Sequence, residues 1–150
     1  MAGSFASLYY HLVFSTKDRR RLITPDIAPR IYEYIGGIIR AKLGVSMLIG
    51  GMPDHTHILT SLDKTIAVAD ALRDIKSNST SWIRETFPAF AKFSWQEGYG
   101  AFTVSPGELD QVKAYIAGQE AHHRTVTFQE EFLEFLHRYQ IPYDERYIWL

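Results

Sequence analysis

The sequence contains no cysteine. That excludes a disulfide framework, a thiolate zinc site and a cysteine nucleophile. No apolar run approaches the ~18 residues that a membrane-spanning helix needs, so no transmembrane segment is expected. The start, Met1-Ala2-Gly3-Ser4, lacks the basic residues and apolar core of a signal peptide. A cytoplasmic location is the default expectation. There is no excess of either charge, the formal net charge being -1. This argues against bulk electrostatic attachment to nucleic acid. It leaves room for a local basic groove, because phosphate binding depends on where the cations sit.

What is present is a globular composition, 46% hydrophobic with nine tyrosines and nine phenylalanines. The expectation is one domain over residues 1–150, burying roughly two-thirds of its unfolded surface. Ser7 to Ser15 reads as a strand with apolar residues on both faces, hence a central one. Thr24-Pro25 reads as the start of a helix, with Ile27, Ile31, Ile35, Ile38 and Ile39 as its core stripe. Gly36-Gly37 inside that stripe implies close packing of another backbone, and Gly44 marks its end. Val45–Gly50 and His55–Leu62 read as a hairpin around the turn Gly51-Met52-Pro53-Asp54. Asp63 or Thr65 caps a helix to about Thr86, with Ile66, Ala69, Leu72, Ile75, Ser79, Trp82 and Ile83 inward.

Phe93 to Val104 reads as an aromatic fourth strand broken by Gly98 and Gly100. Ser105-Pro106-Gly107-Glu108 is a capping box opening a helix to about Arg124, with Leu109, Val112 and Ile116 as its core stripe. Thr127 and Glu130 form a second box before a short helix, Phe128 to Tyr139. The aromatic tail from Ile141 to Trp149 is expected to dock on the domain or on a second subunit. The order β-α-β-β-α-β predicts an α+β, ferredoxin-like (split β-α-β) antiparallel sheet. Its two helices pack on one face, and an additional C-terminal helix follows.

The chemistry centres on Pro53-Asp54-His55-Thr56-His57-Ile58-Leu59. Strand alternation puts His55 and His57 on one face and Thr56 on the other. Two imidazoles ~6–7 Å apart can share a metal ion, although an isolated H-x-H is more often surface decoration. Tyr115 and Gln119 are four residues apart and meet on one side of a helix. Two imidazoles and an amide oxygen make an incomplete coordination sphere, open to phosphate oxygens. A phenol beside it, ordinarily a poor nucleophile with a pKa of ~10, can attack a polarised phosphate. Lys17, Arg19, Arg20 and Arg21 form the most basic segment. Arg73, Lys76 and Ser77 recur along one side of the second helix, continued by Thr80 and Arg84. The first set reads foremost as a solvated loop, with a phosphate contact as the alternative; the second reads equally as solvated surface or as contacts to a sugar-phosphate backbone.

With these pieces the chain resembles the single-tyrosine transposases of small insertion sequences (IS200-like), members of the HUH endonuclease class. The resemblance rests on Tyr10-His11-Leu12-Val13-Phe14-Ser15-Thr16-Lys17, the histidine motif, and Trp95-Gln96-Glu97-Gly98-Tyr99-Gly100-Ala101-Phe102. It continues through Tyr115-Ile116-Ala117-Gly118-Gln119-Glu120-Ala121-His122-His123-Arg124 and Tyr143-Asp144-Glu145-Arg146-Tyr147-Ile148-Trp149. It implies His55, His57 and Gln119 as ligands of Mg²⁺ or Mn²⁺, and Tyr115 as the nucleophile. The residue between the histidines is normally hydrophobic; here it is Thr56.

The implied reaction is transesterification on single-stranded DNA through a 5′-phosphotyrosine, at transposon ends recognised as hairpins. The implied assembly is a homodimer in which, for many members, the tyrosine helix of one subunit completes the site of the other. The Gly98/Gly100 region and Gly107 are where such a crossing is expected. Two alternatives share these features. One is an HUH single-strand nickase serving replication or repeat maintenance. The other is a non-catalytic ferredoxin-like nucleic-acid-binding module, which needs exposed aromatics on its sheet.

Overall fold

A computed structural model describes residues 3–150. Four strands form, β1 (Tyr9–Ser15), β2 (Ser46–Met52), β3 (His55–Ser61) and β4 (Gly100–Val104). They pair antiparallel in the order β2-β3-β1-β4, so β1 and β3 are central, as a split β-α-β arrangement requires. Helices α1 (Ala28–Lys42) and α2 (Val68–Thr86) cover one face. There Leu12, Phe14 and Ile58 pack against Ile31, Ile35, Ile39, Leu72 and Ile75. Each such side chain contributes about 1.5–3 kcal/mol on burial.

The opposite face is covered as well, by α3 (Leu109–Ala117), α4 (Gln119–His122) and α5 (Phe128–Arg138). Val13 and Phe102 pack there against Phe128, Phe132, Phe135 and Leu136, and Leu59 and Val104 against Ile116. The reason is in β1 itself: a strand apolar on both sides needs cover on both. A nucleic-acid module that stacks bases on its sheet has no exposed sheet face here.

Several element starts lie further along than the sequence rules place them. Thr24 does not cap α1, because its hydroxyl bonds the Asp26 carboxylate. The helix starts at Ala28, with Pro29 in its first turn. Asp63 accepts from the Thr65 N–H at 2.9 Å and its hydroxyl at 2.7 Å, a self-contained turn, and α2 begins only at Val68. Ala71, not Ala69, is the buried alanine of that helix. Gly36 is approached by the Arg40 guanidinium and the Ser46 hydroxyl, so the expected backbone neighbour is absent among the described residues. Gly44 follows α1 because any Cβ there would lie 2.1 Å from the Ser61 carbonyl oxygen.

The fourth strand is shorter than expected. Residues 93–99 run irregularly; Thr16, just past β1, bridges Trp95, and the Gln96 N–H donates 2.9 Å to the Ser15 carbonyl of β1. Lys76 holds this stretch, donating to the Gln96 carbonyl at 2.9 Å, the Glu97 carbonyl at 3.2 Å and the Gly98 carbonyl. Arg84 donates to the Phe93 carbonyl at 2.7 Å. Gly98 does lie against another backbone, its N–H donating 3.0 Å to the Leu150 carbonyl. The tail docks on its own chain, as expected, with Ile148 and Trp149 packed on the α5 cluster.

Thr56 points away from the histidines, as alternation requires, and is fully buried. Among the described residues its hydroxyl is a buried side-chain atom with no hydrogen-bond partner. An unsatisfied buried hydroxyl costs about 1–3 kcal/mol, so Thr56→Val, equal in shape, is expected to stabilise the fold by about 1 kcal/mol. Chemical denaturation measures this directly; a variant less stable than wild type contradicts it.

Candidate active site

Register builds the first half of the site. His57 lies opposite Val13 on β1 and Gly50 on β2, and His55 opposite Ser15 and Met52. Both imidazoles are fully buried on the α3–α5 side. Gly50 lets α3 approach, since a Cβ there would lie 2.9 Å from the Ile116 Cγ2. That contact sets Tyr115, the neighbour of Ile116, over the histidines, with its ring centroid 5.7 Å from that of His57.

The expected single helix from Pro106 to Arg124 is interrupted. Its capping box forms, but around a 3₁₀ turn before α3, and α3 ends at Gly118 before α4 begins. Tyr115 and Gln119 therefore sit on either side of a break, yet both still reach the same place. Gln119 Oε1 is 2.9 Å from His55 Nε2.

Glu131, on α5, ties the group together. Its Oε1 lies 3.1 Å from His57 Nε2, 3.4 Å from His55 Nε2 and 3.3 Å from His123 Nε2. Its Oε2 accepts from Gln119 Nε2 at 3.0 Å and from the Tyr115 hydroxyl. His122 Nε2 is 3.2 Å from that hydroxyl. Candidate ligand atoms of His55, His57, His123 and Glu131 all lie within 4.8 Å of one another.

Each imidazole is held from behind. His55 Nδ1 is 2.7 Å from the Asp54 carboxylate and His123 Nδ1 is 2.7 Å from the Val126 carbonyl. Both partners only accept, so both Nδ1 atoms carry the hydrogen and both Nε2 lone pairs face the site. His57 Nδ1 is 2.7 Å from His11 Nε2. Burial, then the neighbouring His57, pushes the His11 pKa down to about 3, so His11 is neutral and can accept from His57. Three Nε2 lone pairs, a carboxylate and an amide oxygen thus converge. Acceptors facing one another at these distances repel unless a cation lies among them. A histidine oriented through its other nitrogen is the usual backing of a metal ligand. The residues fit a divalent ion.

Burial raises the Glu131 pKa, but the His123 and His57 imidazoles in contact with its oxygens outweigh it and hold the carboxyl well below its usual range. Burial lowers His57. Burial also opposes charge on His123, yet Glu131 beside it raises that pKa overall. Tyr115 is pushed up, first by burial and then by Glu131, so the phenol keeps its proton at rest.

The basic residues mostly lie elsewhere. Lys17 and Arg20 line a pocket of ≈ 350 Å³ with Lys92, and Arg19 stacks over Trp149 at 5.4 Å. Arg73, Lys76 and Ser77 share a groove of ≈ 580 Å³ with Thr80 and Tyr99. Burial lowers the Lys76 pKa to about 8, and its ammonium is occupied by the 96–98 carbonyls. Arg73 pairs with Asp70 at 3.0 Å. Arg21 alone of the expected contacts reaches the centre. It lines a pocket of ≈ 370 Å³ beside Asp54, His123 and Arg124.

The family model described as "Transposase IS200 like" matches residues 4–119. The chain belongs to the IS200-like transposase family. Membership supports a DNA-cleaving transposase as its class of activity. A curated relative is the ISDra2 transposase TnpA of Deinococcus radiodurans. It is 27% identical over 126 residues, spanning 78% of this chain and 87% of the relative. A crystal structure of a candidate transposase from Deinococcus radiodurans R1 superposes with a TM-score of 0.65 at 24% identity. It covers 78% of this chain and 94% of that one. A REP-associated tyrosine transposase bound to a REP hairpin gives a TM-score of 0.60 at 15% identity. It covers 84% of this chain and 76% of that one. These structures share the fold.

His55, His57, Tyr115 and Gln119 all fall within the matched residues; His123 and Glu131 fall beyond them. Sequence reasoning placed His122-His123-Arg124 only at the end of a helix and within the family resemblance. It passed over Glu131, one residue after the capping Glu130. One signal was available: Glu131 lies on the side of α5 that carries Phe128 and Phe135, an acid on an apolar face. Among the described residues no helix is long and apolar enough to cross a membrane.

Proposed function

We propose that this transposase cuts and rejoins single-stranded DNA through a 5′-phosphotyrosine on Tyr115. One observation carries the reading: the Tyr115 hydroxyl is bonded to the same carboxylate that touches His55, His57 and Gln119. A divalent ion, Mg²⁺ or Mn²⁺, held by His55, His57 and Gln119 would polarise the phosphate oxygens as a Lewis acid.

Tyr115 Oη attacks phosphorus, the Tyr115 O–P bond forms and the P–O3′ bond breaks. The 5′ phosphate stays on the tyrosine and the 3′ oxygen leaves as a hydroxyl. Across the step the phenol proton is lost and the leaving oxygen gains one. Glu131 Oε2 is the acceptor already in contact with that proton. Attack of a 3′-OH on the phosphotyrosine reverses the sequence and restores the phenol. Bond energy is conserved, so no nucleotide cofactor is needed. Arg21 and Arg124, lining the pocket beside His123, supply cations for the incoming backbone.

Transposon ends folded as hairpins are the proposed substrate. The hairpin bound to the REP-associated relative supports this. We further propose a homodimer. The ring of Tyr115 lies 5.7 Å from that of its own His57, centroid to centroid, which supports a site completed within one chain.

The test is incubation with single-stranded transposon-end DNA and Mn²⁺ or Mg²⁺, followed by denaturing electrophoresis. A protein–DNA adduct that disappears with EDTA and with His55→Ala is expected. Cleavage with no covalent adduct at any time point overturns the reading.

A further inference from the structure

The ligand set that the family resemblance implies, His55, His57 and Gln119, gives no role to His123 or to the second carboxylate oxygen of Glu131. His123 presents its Nε2 lone pair to the same point, and Glu131 presents Oε1. We propose that His123 and Glu131 are direct ligands of the ion, so that this chain holds it with three imidazoles and a carboxylate. The inference rests on the reading of the cluster as a metal centre.

Three observations carry it. First, the donor atoms are mutually placed as ligands of one ion are, Glu131 Oε1 lying 3.1–3.4 Å from three imidazole nitrogens. Atoms bound to one ion at ~2.1 Å sit about that far from each other. Second, His123 is oriented as His55 is, through Nδ1–H to a fixed acceptor, and no other use of its Nε2 is evident beyond Gln119 and Glu131. Third, Glu131 is the one anion in the group and only 2% exposed. A buried carboxylate among neutral imidazoles is costly, and a divalent cation beside it removes that cost.

Two consequences follow. A nitrogen-rich set with one carboxylate favours a first-row transition ion such as Mn²⁺, Co²⁺ or Zn²⁺ over Mg²⁺, which prefers oxygen ligands. Glu131 also links the ion to the nucleophile, with Oε1 toward the imidazoles and Oε2 on the Tyr115 hydroxyl. Metal loading and Tyr115 position are therefore coupled through one side chain on α5.

Calorimetric titration of the full chain with MnCl₂ and with MgCl₂, without DNA, tests this. Wild type is expected to bind Mn²⁺ at least ~10-fold tighter than Mg²⁺. Glu131→Gln and His123→Ala are each expected to weaken Mn²⁺ binding by more than ~100-fold, beyond the loss that an outer-shell partner causes. Circular dichroism checks that the metal-free variants are folded. Glu131→Asp, which keeps the charge but withdraws the oxygens, serves where Glu131→Gln does not fold, with the same expected loss. As a second readout, 3-fluorotyrosine at position 115 is expected to shift its ¹⁹F resonance as Zn²⁺ is added to otherwise unchanged protein. The same label in Glu131→Gln is expected to stay still. Losses of ~100-fold or less in the Glu131 and His123 variants, with binding abolished in His55→Ala, overturn the inference and leave the metal centre standing. A wild type that binds no divalent ion overturns both.

Discussion

Tyr115→Phe abolishes covalent attachment to DNA and slows strand cleavage by on the order of 10⁴-fold or more, as loss of a sole nucleophile does. The variant removes one oxygen and leaves the ring, whose packing is otherwise complete. That ring lies 5.8 Å from Phe135 and 6.2 Å from His11, centroid to centroid, and neither contact needs the hydroxyl. Glu131 Oε2 loses one donor but keeps Gln119 Nε2 at 3.0 Å. A hydrogen bond to a charged acceptor is worth about 1.5–3 kcal/mol, so a stability loss of about 2 kcal/mol is expected, well short of unfolding. Metal affinity and hairpin binding are expected to persist. The checks are denaturing electrophoresis for the adduct, a gel shift for DNA and calorimetry for the ion. Wild-type cleavage by Tyr115→Phe would refute the assignment of the nucleophile. So would an adduct mapped by mass spectrometry to another residue.

Acidification unfolds the metal-free protein well before ordinary surface carboxylates account for it. His11 and His57 are both lowered, first by burial. For such a histidine the unfolded chain binds the proton more readily. Its contribution is therefore fully present above the unfolded value near 6.5 and drains away as pH falls toward the folded one. For His11 that window runs from 6.5 down to about 3. At about 1.4 kcal/mol per pKa unit, His11 alone represents on the order of 5 kcal/mol over that whole window.

Asp54 and Glu131 are lowered despite burial, through His55 for the first and through His123 and His57 for the second. Their contributions hold above the unfolded carboxylate value and are lost as pH falls through the folded one. His123 runs the other way. Its raised value adds stability below about 6.5 that is lost as pH rises through the folded pKa, a partial offset. The net expectation is a fall of several kcal/mol between pH 7 and pH 4, read from urea midpoints at fixed salt. In His11→Gln the upper part of that fall, between pH 6.5 and 5, shrinks. A wild-type midpoint that is flat across the range contradicts the account.

The elements that could be read in advance share a short physical range. β1 was legible as central because its apolar residues alternate onto both faces. The boxes at Ser105–Glu108 and Thr127–Glu130 were legible because a cap and its partner are three residues apart. The starts of α1 and α2 were less so. Thr24 and Asp63 each found a closer partner, Asp26 and Thr65, and a short polar side chain takes the nearest one. Gly118 was invisible as a break because a glycine inside a helical period is usually tolerated.

The site divides along the same line. The shared face of His55 and His57 and the opposite aim of Thr56 follow from strand alternation, a property of neighbouring residues that no distant contact alters. Helical pitch put Tyr115 and Gln119 on one side, but the helix breaks at Gly118 between them, and it is their shared contact with Glu131 that brings them together. No local period relates His57 to Glu131, 74 residues away, or fixes which nitrogen of His123 faces inward. Those depend on α5 crossing the second face of the sheet, driven by Phe128, Phe132 and Phe135 seeking cover beside Val13 and Phe102. The apolar pattern is written in the chain. Which polar groups it carries into contact is a matter of where the helix comes to rest.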